Sequence, residues 1–432
     1  MFSEAIHDDR TTRLLPASPP PPAPMSIEET GLEPMFLRRL LAKYVIEQDM
    51  VTATFLSGRM KLPKMLINVL IKDMVQLGFL EARGLSADDV KSDIRYSLST
   101  RGIDFAFESI SISRYAGPAP VSLDAFCKQV AVQSVQDEHI LRDEMLSSLK
   151  GLVLSENLVD ELGPAISSGR SILLYGPPGN GKTSIAERVA HLFKRSIWIP
   201  YAIEISGHVI NFFDEAVHEQ VSTRPDGAPR MDMRWVECRR PVIKTGGELT
   251  LRMLDLIYNE SSNLYEAPVH LKATGGVFII DDFGRQHVAP QSLINRWIIP
   301  LERGFDYLTL HTGKKFRIPF DELVIFSTNF LPNELTDEAG LRRFQYKIHV
   351  GHPTKEEYLK IFENYAKSKN VQIDMNKIMA FYDSRYVDGL KPSAYHPKSI
   401  IDYIDAFCRY NTTERVATDR LLDNAWRSIF AL

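Results

Sequence analysis

The feature that most constrains this chain is a segment from Gly176 to Thr183 that fits the pattern G-x-x-x-x-G-K-[ST]. An apolar stretch precedes it and a segment with helical apolar spacing follows it, which is the strand-to-helix context that a phosphate-binding loop requires. Glycines let backbone N–H groups converge on anionic oxygens, and the helix N-terminus adds partial positive charge. The residues predicted to bind a nucleotide in this loop are Gly176, Pro177, Pro178, Gly179, Asn180, Gly181, Lys182, Thr183 and Ser184.

Within this loop, two side chains have distinct expected roles. Lys182 carries the charge that would neutralise the β and γ phosphates. Thr183 offers a hydroxyl to the octahedral shell of a magnesium ion, whose other positions are filled by water and phosphate oxygens.

A second motif consists of four apolar residues, 277–280, followed by two carboxylates, Asp281 and Asp282. A buried parallel strand has this composition, and its carboxyl end reaches the nucleotide crevice. We expect Asp281 to hold the magnesium ion through water and Asp282 to polarise the attacking water, because phosphoryl transfer depends mainly on positioning and charge.

The two motifs, in this order, resemble those of the AAA+ ATPases, and the resemblance extends from Val121 to the C-terminus. It implies ATP and Mg²⁺ as cofactors. It also implies that Asn329, at the end of the apolar strand 323–328, is the sensor 1 residue and that Arg343, or its neighbour Arg342, is the arginine finger of an adjacent subunit. Lys398 stands where many relatives have the sensor 2 arginine.

Two positions depart from the family pattern. Asp282 replaces the usual glutamate and is one methylene shorter, so slow hydrolysis or nucleotide-dependent switching without much turnover is an open alternative. Lys398 keeps the charge of an arginine without its bidentate geometry.

Other segments are similar to those of chelatase, MoxR-type and enhancer-binding ATPases. They are residues 265–267 leading to 273–276, and a hairpin predicted from 305–310 and 315–320 around the turn 311–314. The long segment 205–264 contains Arg230, Arg234, Arg239, Arg240 and the turn 245–247. Long loops are usually functional, so contact with a substrate is one interpretation and a structural flap over the sheet is the other.

The predicted fold class is α/β, with a parallel-sheet P-loop AAA+ core, a C-terminal helical lid and a small N-terminal α+β domain. Residues 1–25 are proline-rich and predicted to be a disordered tail. Residues 26–115 resemble a winged helix in shape, with helices at 35–46, 51–56 and 62–77 and strands at 79–82 and 94–98. The AAA+ domain is predicted at 121–350, with strands at 171–175, 196–199, 277–281, 323–328 and 345–350, and the lid at 351–432, with helices at 356–367, 400–410 and 419–429.

Three functions follow from these patterns. The first is a ring-forming homo-oligomer that remodels an unidentified protein partner. The resemblance to AAA+ ATPases implies that this ring is a hexamer. The second is an ATP-regulated DNA-binding protein, which is less favoured because residues 26–114 hold twelve basic and twelve acidic side chains, without the basic excess of a DNA-binding surface. The third is a nucleotide-switched scaffold that hydrolyses ATP slowly.

Composition limits the location of the protein. The chain has a formal charge of -4, three widely spaced cysteines and no run of apolar residues long enough to span a membrane. We therefore expect a cytoplasmic protein without membrane insertion.

Overall fold

The computed structural model of the protein describes residues 18–85, 93–221, 231–387 and 389–430. Two predictions fall partly outside these ranges: most of the proline-rich tail, and the loop 84–93 that would form the wing of a winged helix. Arg230 also lies outside them.

The N-terminal unit has three helices, a hairpin and a fourth helix. Its elements are α1 (Pro34–Glu47), β1 (Val51–Thr52), α2 (Ala53–Met60), α3 (Lys64–Gln76), β2 (Leu80–Leu85), β3 (Ile94–Leu98) and α4 (Thr100–Ile112). The Thr52 hydroxyl accepts a hydrogen bond from the amide of Phe55 (3.1 Å), which caps α2 and ends β1. The three strands pair in the order β1-β3-β2. The three predicted helices and two predicted strands are present in the expected order, but β1 replaces the start of the helix predicted at 51–56 and α4 is not predicted. The winged-helix assignment stays a prediction.

The central unit begins with β4 (Val121–Ser122), α5 (Leu123–Val132), α6 (Arg142–Ser148) and α7 (Glu156–Ser167) and continues with β5 (Ile172–Tyr175) and α8 (Lys182–Ala190). Four short strands follow: β6 (Ile197–Pro200), β7 (Ala202–Ile205), β8 (His208–Asn211) and β9 (Trp235–Cys238). Then come β10 (Val242–Thr245), β11 (Ile257–Asn259), β12 (Leu264–Glu266) and β13 (Val277–Ile280).

The unit ends with α9 (Pro290–Arg296), α10 (Ile298–Arg303), β14 (Phe305–Thr309), β15 (Lys315–Pro319), β16 (Leu323–Thr328), α11 (Pro332–Leu335), α12 (Glu338–Leu341) and β17 (Tyr346–His349). The hairpin predicted around residues 311–314 is present as the pair β14 and β15, in register from Phe305 opposite Pro319.

The core is a five-stranded parallel sheet in the order β10-β13-β16-β5-β17. Every residue of β13 and β16 is buried, which explains the unbroken apolar runs 277–280 and 323–326, since a strand covered by helices on both faces needs no alternation. All five carboxyl ends lie at one edge, where the conserved geometry of open parallel sheets places ligands. The P-loop α/β core predicted from the sequence is therefore confirmed.

A second body of β structure, which we call the platform, lies beside this core. It comprises a five-stranded sheet in the order β11-β12-β8-β7-β4 and the antiparallel pair β6 and β9. The strand predicted at 196–199 thus exists as β6 but belongs to the platform, and β10 takes its place in the core sheet. Likewise, the segment 205–264 forms strands, whereas the sequence analysis treated it as a long loop.

The C-terminal unit is helical, as predicted, and consists of α13 (Lys355–Ser368), α14 (Met375–Arg385), α15 (Tyr395–Asn411) and α16 (Asp419–Phe430). Its core includes Tyr358, Phe362, Ile400 and Trp426. Among the described residues, no helix is both long enough and apolar enough to cross a membrane.

Candidate nucleotide-binding site

The glycine-rich loop joins β5 to α8 with the backbone that its sequence implies. Gly176 and Gly181 have φ angles of 138° and 88°, which side-chain-bearing residues rarely adopt. A Cβ on Gly176 would lie 2.4 Å from the carbonyl oxygen of Val350, so the loop passes too close to the chain after β17 for any larger residue. The local sequence therefore fixes both the turn and its approach to the sheet.

Lys182 lies at the start of α8 and is buried. Its ammonium group donates hydrogen bonds to the carbonyl oxygens of Gly176 (2.9 Å) and Pro177 (2.8 Å) and to Oδ1 of Asn329 (2.8 Å). All three partners are neutral. Burial lowers the pKa of Lys182, while the nearby carboxylates of Asp282 and Asp281 act in the opposite direction. A partly dehydrated cation with neutral partners favours an incoming anion, because electrostatic attraction is stronger where water is excluded.

Thr183 and Asp281 meet at the site predicted for the metal. The threonine hydroxyl donates to Oδ1 of Asp281 at 2.9 Å, although 98 residues separate them. Burial acts to raise the pKa of Asp281, but hydrogen bonds from Thr183 and Ser327 and the charge of Lys244 outweigh it, and the net shift is downward. A hydroxyl beside an ionised carboxylate is the oxygen donor chemistry that Mg²⁺ prefers, so these residues fit the ion.

Lys244 is a member of this site that the sequence analysis did not identify. It lies on β10, and its Nζ is 3.3 Å from Oδ2 of Asp281 and 2.9 Å from Oε1 of Glu187. The apolar stretch before the turn 245–247 could have indicated a strand here. Lys244 reaches the carboxylate of Asp281, however, only because β10 pairs with β13.

Asp282 lies next to Asn329. Its φ angle is 47°, a left-handed conformation in which aspartate and asparagine are enriched over other side-chain-bearing residues. Nδ2 of Asn329 lies 3.4 Å from Oδ1 of Asp282, and Oδ1 of the same asparagine accepts the bond from Lys182. The structure therefore brings the predicted sensor residue, the phosphate-loop lysine and the second carboxylate into one continuous row.

The two arginines predicted as finger candidates differ in their surroundings. The side chain of Arg343 is 10% exposed, its Nε lies 3.1 Å from Oε1 of Glu302 on α10, and its Nη1 bonds the carbonyl oxygen of Ala339. Arg342 is exposed. Arg343, the predicted first choice, is thus held by its own chain, whereas Arg342 points to the surface.

Lys398 lies on α15. It is exposed, and its Nζ lies 6.0 Å from the centre of the Tyr365 ring. The contacts between the helical unit and the glycine-rich loop come instead from the segment before it. Oδ1 of Asn180 accepts hydrogen bonds from the hydroxyl of Ser393 and the amide of Ala394, both at 3.0 Å. We call this pair of bonds the Asn180 clasp.

Two arginines of the segment 205–264 have structural roles. Arg234 is buried, pairs with Asp232 at 2.7 Å and donates to the carbonyl oxygens of Thr30 (2.9 Å) and Pro120 (3.0 Å). Arg240 is also buried and pairs with Glu138 at 2.7 Å. Neither guanidinium is available to a partner, which favours the structural interpretation of this segment. Arg239 forms an exposed pair with Glu219.

Comparison with known proteins is consistent with this geometry. Residues 172–224 match the family described as ATPase family associated with various cellular activities (AAA), and residues 354–428 match a domain of unknown function (DUF8689). Spastin from Ixodes scapularis is 23% identical over 299 residues, which are 68% of this chain and 36% of spastin. The chain thus spans about a third of the length of this curated relative.

Solved structures with a similar course of the chain include the ADP complex of NtrX from Brucella abortus, at 14% identity and a TM-score of 0.40, covering 65% of this chain and 56% of NtrX. The RuvB Holliday junction branch migration motor from Thermotoga maritima has 15% identity and a TM-score of 0.37, covering 64% of this chain and 70% of RuvB.

Proposed function

We propose that this AAA+ chain is a magnesium-dependent ATPase that assembles into a ring and uses ATP to remodel a protein partner. The observation that carries the proposal is the row Lys182, Asn329 and Asp282 at the carboxyl ends of the parallel strands. The AAA match over residues 172–224, together with the similarity to spastin, supports ATPase chemistry.

Binding of the β and γ phosphates would require Lys182 to exchange its neutral oxygen partners for phosphate oxygens. The exchange is favourable because the ammonium group is already partly dehydrated and held at the loop. Backbone amides at the start of α8 would add their partial positive charge to the same oxygens.

Thr183 and Asp281 would hold the magnesium ion, which neutralises charge on the transferred phosphoryl group when bound. Lys244 contacts the second oxygen of Asp281 and adds to the hydrogen bonds from Thr183 and Ser327 that lower the pKa of this carboxyl. Asp282 would orient and polarise the attacking water, and Asn329 would hold both that carboxylate and Lys182 in place. Arg342 is the exposed cation that would complete the site of a neighbouring subunit.

A second candidate, the slowly hydrolysing scaffold, is supported by Asp282. Its carboxylate is one methylene shorter than glutamate, and its left-handed backbone and contact with Asn329 limit how far it can reach. Such a protein would bind ATP tightly and change shape with little turnover.

Calorimetry with ATP, phosphate release with and without Mg²⁺, and sedimentation with bound nucleotide together separate these candidates. A ring-forming ATPase binds ATP, sediments as an oligomer and releases phosphate only when Mg²⁺ is present. Tight binding of ATP with negligible phosphate release would instead support the slowly hydrolysing scaffold. Absence of ATP binding would refute both.

A further inference from the structure

Residues 18–24, which we call the proline arm, lie along the edge of the β6 and β9 pair. The amide of Ser18 donates to the carbonyl oxygen of Ser196 at 3.2 Å, and the amide of Asp232 donates to the carbonyl oxygen of Pro21 at 2.9 Å. Pro22 forms an isolated antiparallel bridge with Met231. The sequence analysis placed this segment in a disordered tail, whereas the structure packs it against the platform.

The arm buries every third residue. Ser18, Pro21 and Pro24 are buried, while Pro19, Pro20 and Pro22 are exposed. A polyproline II helix has three residues per turn, and consecutive prolines favour it because the ring fixes φ near -65° and restricts the residue before it. The periodicity of burial therefore indicates that one edge of a polyproline II helix faces the protein.

The groove beneath that edge supplies hydrogen-bond donors and aromatic surface. Nε1 of Trp198 donates to the carbonyl oxygen of Ser18 at 2.9 Å, and Nε2 of Gln129 donates to that of Pro19 at 3.0 Å. The indole of Trp198 is thus the aromatic surface that contacts the arm. Proline-rich ligands are recognised in this way, by aromatic-lined grooves that bond the free carbonyl groups of a preformed helix.

We propose that this groove, built by Trp198, Gln129 and Asp232, is a recognition site for polyproline II segments that the chain's own proline arm occupies. A proline-rich peptide with the same spacing competes with the arm. Such a peptide re-forms the hydrogen bonds that the groove makes with the arm, and the departing arm breaks no internal hydrogen bonds because a polyproline II helix has none. The site lies on the platform and is independent of nucleotide chemistry.

The test uses a fluorescein-labelled peptide of the arm sequence, Ser-Pro-Pro-Pro-Pro-Ala-Pro, and anisotropy titration of the full chain. In the double variant Pro21→Asp, Pro24→Asp, the two buried prolines become charged and the arm leaves the groove. This variant is expected to bind the peptide saturably, and the parent chain at least about tenfold more weakly, because its tethered arm competes at high effective concentration. A peptide with aspartate at the same two positions is the matched control and should not bind.

Adding Trp198→Phe to the double variant removes the indole donor and should weaken peptide binding severalfold. A folded double variant that does not bind the peptide, or one that binds it no better than the parent chain, would refute the proposal.

Hydrogen exchange of the unmodified chain provides a test that needs no variant. The amide of Asp232 is protected by the arm, so its exchange should be faster than that of β13 amides and should slow when excess unlabelled peptide is added, because peptide that enters the groove when the arm leaves bonds the same amide. Exchange of this amide only at the rate of global unfolding, unchanged by peptide, would show that the arm is a permanent part of the core.

Discussion

Lys182 and Asn329 are joined by a 2.8 Å hydrogen bond across 147 residues of sequence. One residue begins the helix after the glycine-rich loop and the other follows the central strand β16, so the bond links the two elements that would contact the γ-phosphate. It also holds the lysine in place before any phosphate is bound.

Replacing Lys182 by alanine should weaken ATP binding by about 10-fold to 150-fold, because hydrogen bonds between charged groups contribute about 1.5–3 kcal/mol each. Isothermal titration calorimetry measures this directly. Lys128→Ala on α5 is the control, since that exposed lysine pairs only with Asp124 in its own helix. An unchanged affinity for ATP in the Lys182→Ala variant would show that the loop does not bind the nucleotide.

Asp282→Asn should leave ATP affinity unchanged and lower steady-state turnover by about 100-fold or more, as expected when a water-polarising group is lost. Asparagine tolerates the left-handed backbone at this position, so the fold should be preserved. Turnover is measured by phosphate release, with Asp104→Asn on the exposed surface of α4 as the control. Undiminished turnover would exclude Asp282 from catalysis.

Arg342→Ala and Arg343→Ala should have different effects. Loss of exposed Arg342 should reduce turnover without changing thermal stability, whereas loss of Arg343 should lower the free energy of unfolding by about 1 kcal/mol, since it breaks the pair with Glu302. Mixing Arg342→Ala chains with Lys182→Ala chains should restore part of the turnover if the arginine acts on a neighbour. Mixtures that stay inactive would place each site within a single subunit.

His396 should make stability depend on pH between about 4 and 6.5. Burial, with a smaller contribution from His352, lowers the pKa of His396 to about 4. Its Nδ1 accepts hydrogen bonds from the Ser393 amide (3.2 Å) and the Tyr386 hydroxyl (2.7 Å), which requires an unprotonated nitrogen. The unfolded chain therefore binds a proton that the folded chain does not, and stability is complete above about pH 6.5 and falls as pH decreases towards 4.

The measurement for His396 is urea unfolding at several pH values. His396→Gln should reduce the slope of unfolding free energy against pH by up to about 1.4 kcal/mol per pH unit in this window. His139→Gln, at an exposed position, should leave the slope of the parent unchanged. Parallel curves for the parent and the His396 variant would contradict the assignment.

The elements that the sequence predicts correctly are those whose conformation is determined by the residues within the element itself. The strand β13 and the first four residues of β16 are apolar because both faces are covered, and the conformation of the glycine-rich loop is determined by its own glycines. Element order in the N-terminal unit and the hairpin around residues 311–314 also follow from local patterns.

The features that the sequence does not predict depend on contacts between distant segments. The strand β10 ends in Lys244 and Thr245 and its place in the core sheet depends on pairing with β13, so the more apolar run of β6 is predicted in the core instead. The ion pair between Arg343 and Glu302 and the Asn180 clasp likewise join residues far apart in the chain. No pattern within either segment records these contacts.

The N-terminal unit and the platform share one apolar core, in which Ala202 and Val209 of the platform pack with Leu41 and Leu98, and Arg234 bonds the backbone on both sides of the N-terminal unit. Four strands of the platform, β6 to β9, lie in the chain between α8, which starts at the phosphate loop, and β10, which carries Lys244. Because the platform and the N-terminal unit share a core, a nucleotide-dependent shift of the platform would carry the N-terminal unit with it as one body.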